Sequence, residues 1–155
     1  IVCRFAYVHV MGADIMADSV IESLWDFLCG CPLLADYTMQ VNFRSDDIDC
    51  AGIVEDSTEV LQTYLCGSEL KAMHASLFLG SLSDDDLRRI QTSAFLDDLR
   101  RWFLNVQELP ALPEYRTAQD IRMDGAVPFE YEKDGKKCTY QMSITLEYIE
   151  ERNVC

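Results

Sequence analysis

From Cys138 to Tyr148 the chain alternates without a fault. Cys138, Tyr140, Met142, Ile144, Leu146 and Tyr148 fall on one side, and Thr139, Gln141, Ser143, Thr145 and Glu147 on the other. A period of two over that length specifies a strand with one dry and one wet face, because successive side chains of an extended backbone point in opposite directions. Such a strand needs partners in a sheet and apolar cover over one face. Upstream, Leu87, Ile90, Ala94, Phe95, Leu99, Trp102, Phe103 and Val106 recur at steps of three and four, the spacing of a core-facing helix stripe. The connector Leu109-Pro-Ala-Leu-Pro113 joins the two segments and is held extended by its prolines.

The rest of the chain fills in an α+β domain. Ser19-Val-Ile-Glu22 has capping-box spacing and opens a first helix, Ser19–Cys29, closed by Gly30 as a left-handed cap and by Pro32. Tyr37–Phe43 alternates as a strand; Arg44–Cys50 reads as a polar loop, Ala51–Val54 as a short strand and Asp56-Ser57-Thr58 as a turn. Glu59–Leu65 and Leu70–Leu79 flank Cys66-Gly67-Ser68-Glu69 and predict a hairpin, with Gly80 ending its second arm. Ser83 is expected to cap the second helix, with Asp84, Asp85 and Asp86 at the positive end of its dipole. Asp84 with Arg88, Asp85 with Arg89, and Asp97 with Arg101 have i,i+4 pairing distance. Arg116–Met123 and Phe129–Glu132 read as further strands, and Asp134-Gly135 as a turn. The expected architecture is an antiparallel (mixed) sheet, two main helices on one face, and a hairpin.

At 155 residues the chain is long enough for one domain with a real core. Its first residue is Ile; residues 1–15 are expected to lie outside the core as an extension, with 16–155 as the domain. The net charge of −14 argues against sequence-independent nucleic-acid binding, which needs Lys and Arg to displace counterions. Seven irregularly spaced cysteines, without a recognisable secretory signal, read as free thiols. No apolar run reaches the ~20 residues of a membrane span.

Chemistry-bearing clusters are sparse. The two histidines, His9 and His74, have no nucleophile motif beside them. Cys29-Gly-Cys31 is a C-x-C without a second pair, and packing cysteines at a helix end are its ordinary reading. Asp46-Asp47-Ile48-Asp49 is dense in oxygen ligands but lacks the glycine and terminal glutamate of a calcium loop. No phosphate loop or dinucleotide fingerprint occurs. The expectation is a protein that is not an enzyme and has no cofactor or metal.

The element order resembles one family, the small tail terminator proteins of long-tailed bacteriophages, also called minor capsid proteins. The residues carrying the resemblance are Trp25 in the first helix, the hairpin Tyr64-Leu-Cys-Gly-Ser68, Phe95-Leu-Asp-Asp-Leu-Arg-Arg-Trp102, Leu109–Pro113, Ala118-Gln-Asp-Ile121 and Tyr140–Tyr148. It spans Ser19 to Glu151. The resemblance implies a virion protein at the head-proximal end of the tail, assembled in the host cytoplasm into a homo-oligomeric ring, usually of six. That ring caps the tube of the major tail protein, stops its polymerisation and meets the head-completion or connector proteins, with DNA passing through the bore unbound. Contact regions expected for such a ring are the polar loop (Arg44, Asp46, Asp47, Asp49) and the hairpin tip (Cys66, Gly67, Ser68, Glu69). Two alternatives stay open: an acidic DNA mimic that inhibits a DNA-binding protein, on the strength of the charge, and a small-ligand or hydrolytic α+β domain, which requires a pocket with convergent polar groups.

Overall fold

Three strands of 14 residues each set the frame of the molecule. A computed structural model describes residues 19–42 and 48–152. Along the chain come α1 (Val20–Cys29), a 3-10 turn (Pro32–Leu34), β1 (Thr38–Val41), β2 (Cys50–Thr63), β3 (Glu69–Leu82), α2 (Asp86–Leu104), β4 (Arg116–Met123), β5 (Val127–Tyr131) and β6 (Lys137–Glu150). The six strands form one mixed sheet in the order β1-β2-β3-β6-β4, with β5 also on β6. β1 runs parallel to β2; the other pairs are antiparallel. The chain is an α+β protein, as expected.

Register decides what is buried. Ile53 faces Leu77, Leu77 faces Met142, and Met73 faces Leu146, which faces Ile121. These residues share one side of the sheet, and Ile21, Leu24 and Leu28 of α1 with Leu96, Leu99 and Phe103 of α2 close over it as one core. The alternation of β6 is realised: Cys138, Tyr140, Met142, Ile144, Leu146 and Tyr148 are all buried. No described helix covers the opposite face of β6, which carries Gln141, Ser143, Thr145 and Glu147.

β4 and β5 lie end to end on one flank of β6. β3 occupies the other flank along all 14 residues, while β4 pairs Ile144–Glu150 and β5 pairs Cys138–Gln141. The Asp124 amide donates to the Ser143 carbonyl at 2.8 Å between them and carries the ladder across the gap.

Several local expectations change. Ser19 caps α1 as expected, its Oγ accepting from the Glu22 amide at 3.3 Å. Gly30, however, has φ −77°; its amide donates to the Phe27 carbonyl at 3.1 Å and the Cys31 amide to the Leu28 carbonyl at 2.9 Å, so the chain tightens into the 3-10 turn instead of reversing through a left-handed cap. Asp56-Ser57-Thr58 is not a turn. It lies inside β2, where Asp56 is the extra residue of a bulge between the Glu55–Ala75 and Ser57–His74 pairs. Cys50 begins that strand, and Gly80 continues β3 opposite Thr139 where the strand was expected to end. The cap of α2 is Asp85, whose carboxylate accepts from the Arg88 amide at 2.7 Å; Ser83 is buried and donates to the Gly135 carbonyl at 2.9 Å.

The helix stripe also shifts. Leu87 and Ile90 are 63% and 66% exposed, and Ala94 is exposed, while Leu96, Leu99 and Phe103 are buried. The N-terminal half of α2 therefore lifts its expected stripe away from the sheet. Asp84 pairs with Arg88 at 3.0 Å, but Arg89 pairs with Asp86, and Arg101 with Asp98 at 3.4 Å, one turn position nearer than expected. β5 begins two residues before the expected Phe129.

Candidate subunit interface

The parallel strand β1 covers only Cys50–Ile53 of β2. Among the described residues no strand pairs the outer side of β2 from Val54 to Thr63, so that half of a long strand is an open edge. Next to β1 the Glu55 amide donates to Asn42 Oδ1 at 3.3 Å; beyond it the outer side of the strand meets no described strand, the geometry that lets another chain extend a sheet. Val60, Leu61 and, at the hairpin tip, Leu65 are exposed at 52%, 47% and 110%. These three aliphatic side chains stand in water within six successive residues.

On the uncovered face a polar ladder fastens this edge to the sheet. The Ser76 hydroxyl donates to Asp56 Oδ2 at 2.6 Å and accepts from Gln141 Nε2 at 2.9 Å. His74 places Nε2 2.9 Å from Glu59 Oε1 and Nδ1 3.3 Å from Thr145 Oγ1. A hydroxyl, an imidazole and a carboxylate in line resemble a relay, yet they stand on a flat strand face and serve three neighbouring strands as a cross-link. Beyond them Arg122 Nη2 meets Glu147 at 2.6 Å.

At the far end of the arm, Lys71 Nζ lies 3.1 Å from Glu150 and 3.3 Å from Glu69, and Arg116 Nε lies 3.2 Å from the same Glu150 oxygen. Burial raises the Glu150 carboxyl, but hydrogen bonds from Lys71 and Arg116 outweigh it and hold the group below its ordinary range. The hairpin is closed by Tyr64–Ser68: the Tyr64 amide donates to the Ser68 carbonyl at 2.8 Å and the Gly67 amide to the Tyr64 carbonyl at 2.9 Å. Gly67 takes φ +87°, which this turn requires. Cys66 is exposed, its Sγ 3.3 Å from Ser68 Oγ, and hydrogen bonding from Ser68 lowers its pKa from the ordinary thiol value. Burial instead pushes the Cys31 and Cys138 thiols up.

Of the two expected contact regions, the described part of the first, Asp49, stands apart from the hairpin tip. Arg44, Asp46 and Asp47 lie outside the described residues, as do His9 and residues 1–15. Asp49 is exposed and its carbonyl accepts from the Thr38 amide at 2.8 Å. It stands at the start of β2, and Cys66, Gly67, Ser68 and Glu69 stand at the other end, about 45 Å away along an extended strand. The open edge between them went unread because a turn was expected at Asp56-Ser57-Thr58. The alternation of Thr58, Val60 and Gln62 against Glu59 and Leu61 was the signal that the strand continued.

Other features are less pointed. A cavity of ≈ 310 Å³ between Tyr37, Asp49, Ser81, Arg88, Thr92 and Phe95 is at the lower limit for a small-molecule site. Three of its polar groups are already engaged, with Ser81 Oγ 2.7 Å from Thr92 Oγ1 and Arg88 on Asp84. Among the described residues, no three His, Cys, Asp or Glu side chains converge as a metal centre requires, and no helix is long and apolar enough to cross a membrane. Comparison with protein-family models and with characterised proteins finds no match to this chain.

Proposed function

We propose that this protein is a structural subunit of the tail terminator kind, one that assembles with copies of itself into a ring of six closing a phage tail tube. The observation carrying the reading is the open, aliphatic-bearing half of β2 on a sheet whose other flank, β4, is also unpaired on its outer side among the described residues. A subunit with two unlike free edges makes head-to-tail contacts, and such contacts close into a ring when the rotation between copies divides a full turn. The resemblance supplies the biological setting. The competing reading as a DNA mimic draws on the −14 charge alone, and Asp84, Asp86 and Asp98 at α2 are engaged with Arg88, Arg89 and Arg101.

Native mass measurement and negative-stain imaging of the purified chain test the proposal. A discrete ring, and arrest of tail-tube growth when the chain is added to polymerising tube protein, are the expected results. A chain that remains monomeric and leaves tube growth unaltered overturns it. The reading also expects acidic side chains to outnumber basic ones along the bore, so that DNA passes without adhering.

A further inference from the structure

We infer that the contact between copies is a specific one: the open half of β2 in one copy pairs antiparallel with β4 of the next, with Glu59 against Arg122. The inference rests on the ring reading above and names the two surfaces that meet. It begins from the register. Followed across β3 and β6, Glu55 lies level with Met123, Ser57 with Arg122, Val60 with Ala118 and Thr63 with Arg116. The two free edges therefore occupy the same height on opposite flanks of the sheet. β1 blocks β2 only at the height where β5, not β4, forms the other flank.

Direction and charge agree with that placement. β2 and β6 run one way, β3 and β4 the other. Copies related by rotation about an axis along the strands keep those directions, so β2 meets the next β4 antiparallel. From Val54 to Thr63 the first edge carries three acids, Glu55, Asp56 and Glu59, and no base; β4 carries Arg116 and Arg122 against Asp120. Irregularities agree too. β4 bulges at Gln119, between the heights of Glu59 and Val60, and β2 bulges at Leu61, beside Val60. Two edges interrupted at nearly one height can follow each other on either side of the break.

The register follows from like-charge avoidance. With no slide, Glu59 opposes Asp120, an unfavourable cross-strand pair. Strands closed into a ring are tilted and slide past one another. A slide of two residues keeps every side chain on its own face and brings Glu59 opposite Arg122. Both side chains stand on the uncovered face and are more than half exposed, at 59% and 58%, so each has room for a further partner, Glu59 beside His74 and Arg122 beside Glu147 and Asp120, which lies 3.6 Å from its Nε.

The test uses two variants of the full chain, Glu59→Arg and Arg122→Glu, alone and mixed. Alone, each sets like charges across every interface, and the concentration needed for half-assembly rises at least tenfold. Mixed one to one, each interface regains one acid and one base, and a ring of alternating variants returns at wild-type concentration. Thermal melting of each variant as a monomer establishes that both are folded. Variants that assemble as the wild type does, or a mixture that fails to recover, overturn the pairing while leaving the ring reading in place. A monomeric wild type overturns both.

Discussion

Asp56 and Ser76 meet at 2.6 Å, and the contact falls at the position where β2 carries one more residue than β3. The hydroxyl is buried and the carboxylate is exposed, so the bond holds the bulge against the sheet from its solvent side. Replacing Ser76 with Ala removes that fastening and an acceptor for Gln141. A loss of about 1–2 kcal/mol is expected. Urea unfolding measures it, and an unchanged midpoint contradicts the assignment.

The two ends of α2 have unequal weight. Leu99 is fully buried and Leu87 is mostly exposed. Leu99→Ala is expected to cost about 2–5 kcal/mol through lost burial and a cavity. Leu87→Ala in the monomer changes stability by less than about 0.5 kcal/mol. Equal losses at the two positions in denaturant titrations contradict the observed stripe.

Glu150 ties acid stability to the far end of the arm. Its folded carboxyl binds a proton less tightly than the unfolded one, because Lys71 and Arg116 favour the ionised form over the opposing effect of burial. The stabilisation is therefore present above the unfolded value of about 4.3 and is lost as pH falls through the lower folded value. Glu150→Gln is expected to cost about 0.5–1 kcal/mol at neutral pH, a modest figure for a group partly in water. The difference from wild type vanishes in strong acid. A gap that persists there shows that packing, not charge, is responsible.

Cys66 is expected to react with iodoacetamide before Cys31 and Cys138, since it is exposed with a lowered pKa while burial raises the other two. Ser68→Ala slows the reaction. Peptide mapping after brief labelling reads both effects, and faster labelling of a buried thiol counts against the arrangement at the tip.

Gly67→Ala places a side chain at φ +87°, with its Cβ 2.7 Å from Arg152 Cδ. The arginine is flexible and moves aside, but the backbone conformation still costs about 1–2 kcal/mol. A melting temperature equal to that of wild type contradicts this requirement.

How far the sequence was legible depended on how many faces each segment presents. β6 has one wet and one dry face, and its six buried residues are those that alternation names. α1 begins at Ser19 because the cap is a local hydrogen bond between residues three apart. β2 was harder to read because Asp, Ser and Thr, the usual punctuation of turns, are used there in a bulge. What converts them is a serine 20 residues away, which no local pattern contains. α2 was legible in part: Leu99 and Phe103 of the expected stripe are buried and Phe95 packs against the core, but Leu87, Ile90 and Ala94 are exposed, and Leu96, outside the stripe, is buried by the sheet beneath. The edges were illegible for a third reason. An open edge is a property of where a neighbouring strand stops, and β1 stops after four residues.

That short β1 has one more effect. By shielding β2 at one extremity and leaving the remainder without a neighbouring strand among the described residues, it gives the molecule a top and a bottom along its strands. Any assembly built through the bare portion inherits this polarity, so its two mouths differ even though every component is identical.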